Sequence, residues 1–142
     1  PYVGDEPFML TYGDGLADVD LKKLEEFHRQ HGRIATITAV NVGQRFGVLD
    51  IQQGGRIQAF REKNDRDGAL INGGFMVMNP QVFDYIQGDD TVLEKEPLEN
   101  LARDGELMAF THDGFWKCMD TQRDKMQLEA MWQSGQAPWK IW

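Results

Sequence analysis

Residues 20–40 read DLKKLEEFHRQHGRIATITAV, and no other stretch constrains the fold as strongly. Leu21, Leu24, Phe27 and His28 recur at helical spacing. Asp20 stands where a side-chain cap starts a helix, and Gly32 stands where a left-handed residue ends one. RIATITAV, residues 33–40, follows at once and is β-branched and strand-like. A capped amphipathic helix that runs directly into a strand predicts an α/β chain, with helices covering a sheet.

The rest of the chain repeats that alternation. Phe8 to Tyr12 form an apolar, β-prone run, which predicts a buried strand covered on both faces. GVLDIQ (47–52), the turn Gly54-Gly55 and RIQAFREK (56–63) predict a hairpin. INGGFMVMNP (71–80) predicts a second buried strand that begins with two glycines, and PQVFDYIQG a short helix with Pro80 near its first turn. EPLENLARDG (96–105) predicts another helix. ELMAFTHDG and FWKCMD (106–120) predict two adjacent strands around a turn at His112-Asp113-Gly114. TQRDKMQLEAMWQSG predicts a last helix, with Thr121 and Asp124 at capping-box spacing and Gly135 at its end. The hairpin makes the sheet mixed. A length of 142 residues fits a single domain spanning 1–142.

Composition narrows the function. The formal net charge is −8, which argues against nucleic acids and anionic membranes as partners. A single nucleotide stays compatible, because Mg²⁺ and a few local cations neutralise its phosphates. Cys118 is the one cysteine, so an intrachain disulfide is impossible and a reducing, cytoplasmic setting is expected. No apolar stretch reaches the roughly 20 residues of a membrane span.

Four features go beyond packing. Asp14, in YGDG, is a lone carboxylate between two glycines just past a predicted strand. Ligands of open α/β sheets bind at such strand ends, and Mg²⁺ takes one or two carboxylates there together with phosphate oxygens. The plainer reading is a turn aspartate bonded to its own backbone. Glu62 and Lys63, in FREK, place an acid beside a base, suited to a hydroxylated, phosphorylated ligand, or form an ordinary exposed pair. Asn72-Gly73-Gly74 puts glycines inside a strand, where a ligand or another backbone comes close, or where the strand bulges. Asp120, in FWKCMDT, repeats the setting of Asp14 before a helix, where it also suits the helix dipole. Asp14 and Asp120 are thus expected to meet across one site and share a Mg²⁺. His28 and His31 lack further ligands for a zinc set and read as a helix face. Cys118 has no evident base and reads as packed.

FMLTYGDGLADVD, RFGVLDI, INGGFMVMNPQVFDYI, EPLENLARDGELMAFTHDGFWKCMDTQRDK and APWKIW together resemble the glucose-1-phosphate cytidylyltransferases, a family of sugar-nucleotide pyrophosphorylases. The resemblance runs in order through essentially the whole chain. It implies a nucleotide-diphospho-sugar transferase fold, Rossmann-like, and a reaction of CTP with glucose 1-phosphate that gives CDP-glucose and pyrophosphate. By the same resemblance Asp14 and Asp120 are the metal aspartates. Glu62 and Lys63 contact the sugar and its phosphate, Asn72 and Gly73 line the sugar pocket, and Lys63 joins the two aspartates in catalysis.

Members of that family begin with a strand and a G-G-x-G-T-R loop that cradles the triphosphate, and none of these 142 residues matches it. The expectation is therefore the C-terminal portion of a catalytic domain, with an incomplete sheet, inactive alone, and completed either by a complementary N-terminal chain or by an N-terminal segment absent from these residues. A homo-oligomer is expected as well. The family's E-K-P is E-K-N here, with Asn64 for proline, and Lys117 stands where a neutral residue is expected. The rival expectation is a non-catalytic module that binds a sugar phosphate or serves assembly.

Overall fold

The computed structural model describes residues 3–41 and 70–142, and between them the backbone of Val48–Ile51 and Ile57–Arg61. Eight strands and three α-helices are described. They are β1 (Phe8–Leu10), β2 (Gly15–Ala17), α1 (Leu21–His31), β3 (Ala35–Asn41), β4 (Val48–Ile51), β5 (Ile57–Arg61), β6 (Leu70–Met78), α2 (Glu96–Arg103), β7 (Leu107–His112), β8 (Trp116–Cys118) and α3 (Gln122–Gln133). A 3-10 helix, Pro80–Tyr85, follows β6.

The main sheet has the order β1-β6-β3-β7 and is mixed: β1, β6 and β3 are antiparallel neighbours, while β3 and β7 run parallel. Period-two alternation on β6 sends Met76 and Met78 to one face and Val77 to the other. On the first face Met76 and Met78 join Ala35, Val82 from the 3-10 helix, and Leu98 and Leu101 from α2. On the second, Val77 packs with Val19 and with Leu24 of α1, flanked by Phe75 and Phe110. Burying each of these leucines fully is worth about 2 kcal/mol. Helices thus cover both faces, as the alternation of patterns predicts.

The caps follow the sequence closely. The Asp20 carboxylate accepts from the Lys23 N–H at 3.1 Å, and Gly32 ends α1 at φ 64°. Thr121 and Asp124 form a reciprocal capping box at the start of α3.

Two expectations need correction. The run at Phe8–Tyr12 pairs only over Phe8–Leu10 and is not covered on both faces: Met9 is 48% exposed. As described, β1 is the outer strand of its sheet and has a strand neighbour on one side only. The strands on either side of His112–Gly114 do not pair with each other. β7 stays in the main sheet beside β3, while β8 pairs antiparallel with β2 in a separate ribbon. The hairpin β4–β5 is present in the backbone, and its turn at Gly54-Gly55 lies outside the described residues.

Candidate active site

The β2–β8 ribbon positions the candidate site. Its register sets Gly15 opposite Cys118 and Ala17 opposite Trp116. The ladder extends one step further, because the Met119 N–H donates to the Asp14 carbonyl at 2.8 Å. Asp14 therefore lies across from Met119, and Asp120 is the next residue. Two aspartates that are 106 positions apart in the chain sit at one end of one ribbon.

The glycines of β6 come to the same place. Between the pairs Ile37↔Met76 and Ala39↔Asn72 the register shifts, so β6 bulges at Gly73 and Gly74. The bulge aims the Gly73 carbonyl at the Trp116 indole, whose Nε1–H donates to it at 2.8 Å. Gly73 also faces Gly15, where a Cβ would stand 3.9 Å from that same carbonyl. Asp14, Asp120, Asn72 and Gly73 thus belong to one neighbourhood. Glu62, Lys63 and Asn64 lie outside the described residues.

Glycine is required at both bulge positions. A Cβ on Gly73 would stand 2.8 Å from Val40 Cγ1 and 3.1 Å from the Thr38 carbonyl. Gly74 has φ 82°, and a Cβ there would stand 2.5 Å from the Tyr12 ring. Gly74→Ala is expected to cost about 2 kcal/mol, because left-handed strain adds to the clash. A urea titration measures this, and an unchanged midpoint would contradict the tight approach of Tyr12.

The electrostatics separate structural from available charges. Lys117 Nζ meets Asp124 Oδ1 at 2.8 Å, with both side chains mostly buried. That contact, together with the Thr121 hydroxyl, holds the Asp124 carboxyl down to about 2. Lys117 is therefore spent on fastening α3 to β8. The Cys118 thiol donates to Asp120 Oδ2 at 2.9 Å, and burial followed by this bond pushes its pKa up. It is a poor nucleophile in that setting. Among the described residues no group of three or more His, Cys, Asp and Glu side chains is placed to hold a metal ion. Carboxylates such as those of Asp14 and Asp120 are the ligand type that Mg²⁺ takes together with phosphate oxygens and water.

Three residues beyond the sequence candidates complete the neighbourhood. Trp116 fastens the bulge. The Tyr12 hydroxyl donates to Glu94 Oε1, and the Asn72 Nδ2–H donates to the Tyr12 oxygen at 3.4 Å. Burial, then Glu94, pushes the Tyr12 phenol up to about 12. The tail also helps: Trp139 is buried and packs on Phe115 at 5.5 Å, which steadies the entry into β8.

Comparison with known proteins agrees with this architecture. Residues 2–126 match the family described as nucleotidyl transferase. The chain belongs to that family. This nucleotidyl transferase chain is 56% identical over 138 residues to the glucose-1-phosphate cytidylyltransferase of Salmonella typhi, covering 97% of this chain and 53% of that protein. It is 33% identical over 125 residues to the mannose-1-phosphate guanyltransferase of Saccharomyces cerevisiae, covering 84% of this chain and 35% of that one. The chain thus spans about half of the first relative's length and about a third of the second's. The crystal structure of HddC from Yersinia pseudotuberculosis shares the fold, with TM-score 0.60 at 22% identity, covering 89% of this chain and 55% of that one. No helix among the described residues is long and apolar enough to cross a membrane.

Proposed function

We propose that this chain supplies the sugar-phosphate and metal half of a glucose-1-phosphate cytidylyltransferase site, in which glucose 1-phosphate attacks the α-phosphorus of CTP and pyrophosphate leaves. The observation that carries the reading is the ribbon register, which brings the Asp14 and Asp120 segments together beside the glycine bulge. The 56% identity to the Salmonella typhi enzyme supports cytidine over guanosine as the base. In this reading Asp14 and Asp120 hold Mg²⁺. When bound, the metal would neutralise phosphate charge as the nucleotidyl group is transferred and pyrophosphate leaves. Glu62 takes sugar hydroxyls, Lys63 takes the sugar phosphate, and Asn72 with Gly73 forms the wall of the sugar pocket. A triphosphate needs backbone N–H groups and cations around its oxygens, and glycine-rich loops at helix N-termini provide them. Gly13-Asp14-Gly15 is too short for that task and carries a negative charge.

The 142 residues by themselves are therefore expected to make no CDP-glucose. Joined to the remaining part of the Salmonella typhi enzyme, which by resemblance carries the loop, they are expected to make it. The assay follows CDP-glucose by chromatography for the chain alone and for the chimera. Turnover by the chain alone, at a rate near that of the chimera, would overturn the division of labour. A folded chimera that binds glucose 1-phosphate but does not react would instead mark this chain as a non-catalytic module.

A further inference from the structure

The Asn72 amide sits in a hydrogen-bond relay whose direction is set from outside β6. A carboxylate accepts hydrogen bonds and donates none, so Glu94 takes the phenolic hydrogen of Tyr12. The Tyr12 oxygen is left with acceptor capacity only. It can therefore satisfy the Nδ2 side of Asn72 and not the Oδ1 side, and Nδ2 faces it at 3.4 Å. At the other end the Gly74 N–H, a donor, takes Asn72 Oδ1 at 3.0 Å. Both ends demand the same orientation of the amide. The parts come from distant segments: Tyr12 precedes the Asp14 loop, Glu94 precedes α2, and Asn72 lies on β6. The Tyr12 ring itself lies against Gly74, where there is no room for a Cβ.

We propose that Tyr12 and Glu94 are positioning residues that lock the Asn72 amide so that its second Nδ2–H, a donor, faces the sugar-phosphate pocket. This rests on the reading of the pocket given above. Asn72 then selects an acceptor on the ligand, a hydroxyl or phosphate oxygen of a hexose phosphate. An amide free to flip would present donor and acceptor in turn and lose that selection. Tyr12→Phe removes the lock and keeps the ring on Gly74. Glu94→Gln keeps a partner for the phenol but loses the direction, because a carboxamide can donate as well as accept.

The test uses the 142-residue chain and glucose 1-phosphate. Binding is followed by calorimetry at millimolar ligand, and the Asn72 side-chain amide by ¹⁵N-resolved NMR. Wild type is expected to show two well-separated Nδ2 proton signals, one of which moves on titration. Tyr12→Phe is expected to weaken binding about fivefold, the worth of one hydrogen bond, and to bring the two signals together. Glu94→Gln is expected to fall between, with thermal midpoints near wild type for both. No binding by wild type sinks the reading of the pocket and this proposal with it. Equal binding by wild type and both variants sinks the proposal alone. If Tyr12→Phe does not fold, Glu94→Gln decides: unchanged affinity with unchanged amide signals overturns the lock.

Discussion

His28→Ala is expected to destabilise the chain by about 3 kcal/mol, the largest stability effect foreseen for any polar residue here. His28 is 2% exposed on the inner face of α1. Its Nδ1 lies 2.8 Å from Thr36 Oγ1 and its Nε2 lies 3.1 Å from Asn79 Oδ1. His31 Nε2 reaches the same Thr36 oxygen at 2.7 Å. The backbone fixes the direction of the whole set. The Arg33 N–H donates to His31 Nδ1 at 2.9 Å, so the His31 proton sits on Nε2 and is given to Thr36. The Thr36 hydroxyl then donates to His28 Nδ1, and His28 donates from Nε2 to Asn79. Asn79 Nδ2 donates in turn to the Arg33 carbonyl at 2.9 Å, which closes the circuit. Removing the His28 ring leaves the fully buried Thr36 hydroxyl and Asn79 Oδ1 without these partners, and a cavity as well. Urea denaturation at neutral pH measures the loss, and a change below about 1 kcal/mol would show that the circuit carries no net weight.

The same circuit makes the fold acid-sensitive. Burial first, then His28 and Arg33, push the His31 pKa below its ordinary 6.5, and Glu106 opposes them. Arg33 and Glu106 pair at 3.2 Å beside it, and Phe27 packs against its ring. A base with a lowered folded pKa binds its proton first in the unfolded chain. Stability is therefore complete above 6.5 and falls as pH drops from 6.5 toward the lower folded value. The protonated ring would also point a second N–H at the Arg33 N–H, two donors facing each other.

What the sequence reveals follows from how local each determinant is. The ends of α1 and α3 are legible because Asp20, Gly32 and the Thr121–Asp124 box act within one turn of themselves. The bulge at Gly73-Gly74 is legible as one of two readings, since glycines inside a strand signal it. The partner of β8 is not legible. His112-Asp113-Gly114 carries a turn signature, and a turn signature suggests pairing of its two flanks. The actual partner, β2, lies about a hundred residues away and is chosen by register with Gly15–Ala17. Tyr12 and Glu94 are hidden for the same reason: 82 positions separate them, and neither stands in a motif that marks the contact. The histidines read correctly as a helix face, but their circuit needs Thr36 and Asn79 brought in by β3 and the end of β6. Asp14 and Asp120 stand out in the sequence because each follows a strand and neither is needed for packing. The ribbon sets the Asp14 backbone opposite Met119, one residue before Asp120, while Glu62 and Lys63 rest on the sequence alone.

Asp120→Asn in the active chimera is expected to lower kcat about a thousandfold, and Asp14→Asn by a similar factor. Each substitution keeps size but removes one negative charge from the carboxylate pair of the proposed Mg²⁺ site. The backbone link between Met119 N–H and the Asp14 carbonyl does not involve either side chain, so the ribbon should survive both changes. The loss should therefore appear in catalysis and not in the thermal midpoint. Asp124→Asn provides the contrast on the same element. It weakens the capping box and the pair with Lys117, and should lower the midpoint while leaving the metal requirement intact. Mn²⁺ binding followed by electron paramagnetic resonance separates metal loss from other causes, since Asp14→Asn and Asp120→Asn should each weaken it and Asp124→Asn should not. Full Mn²⁺ affinity in Asp120→Asn would remove that residue from the metal site. Near-normal turnover in both aspartate variants would remove the pair from the chemistry altogether.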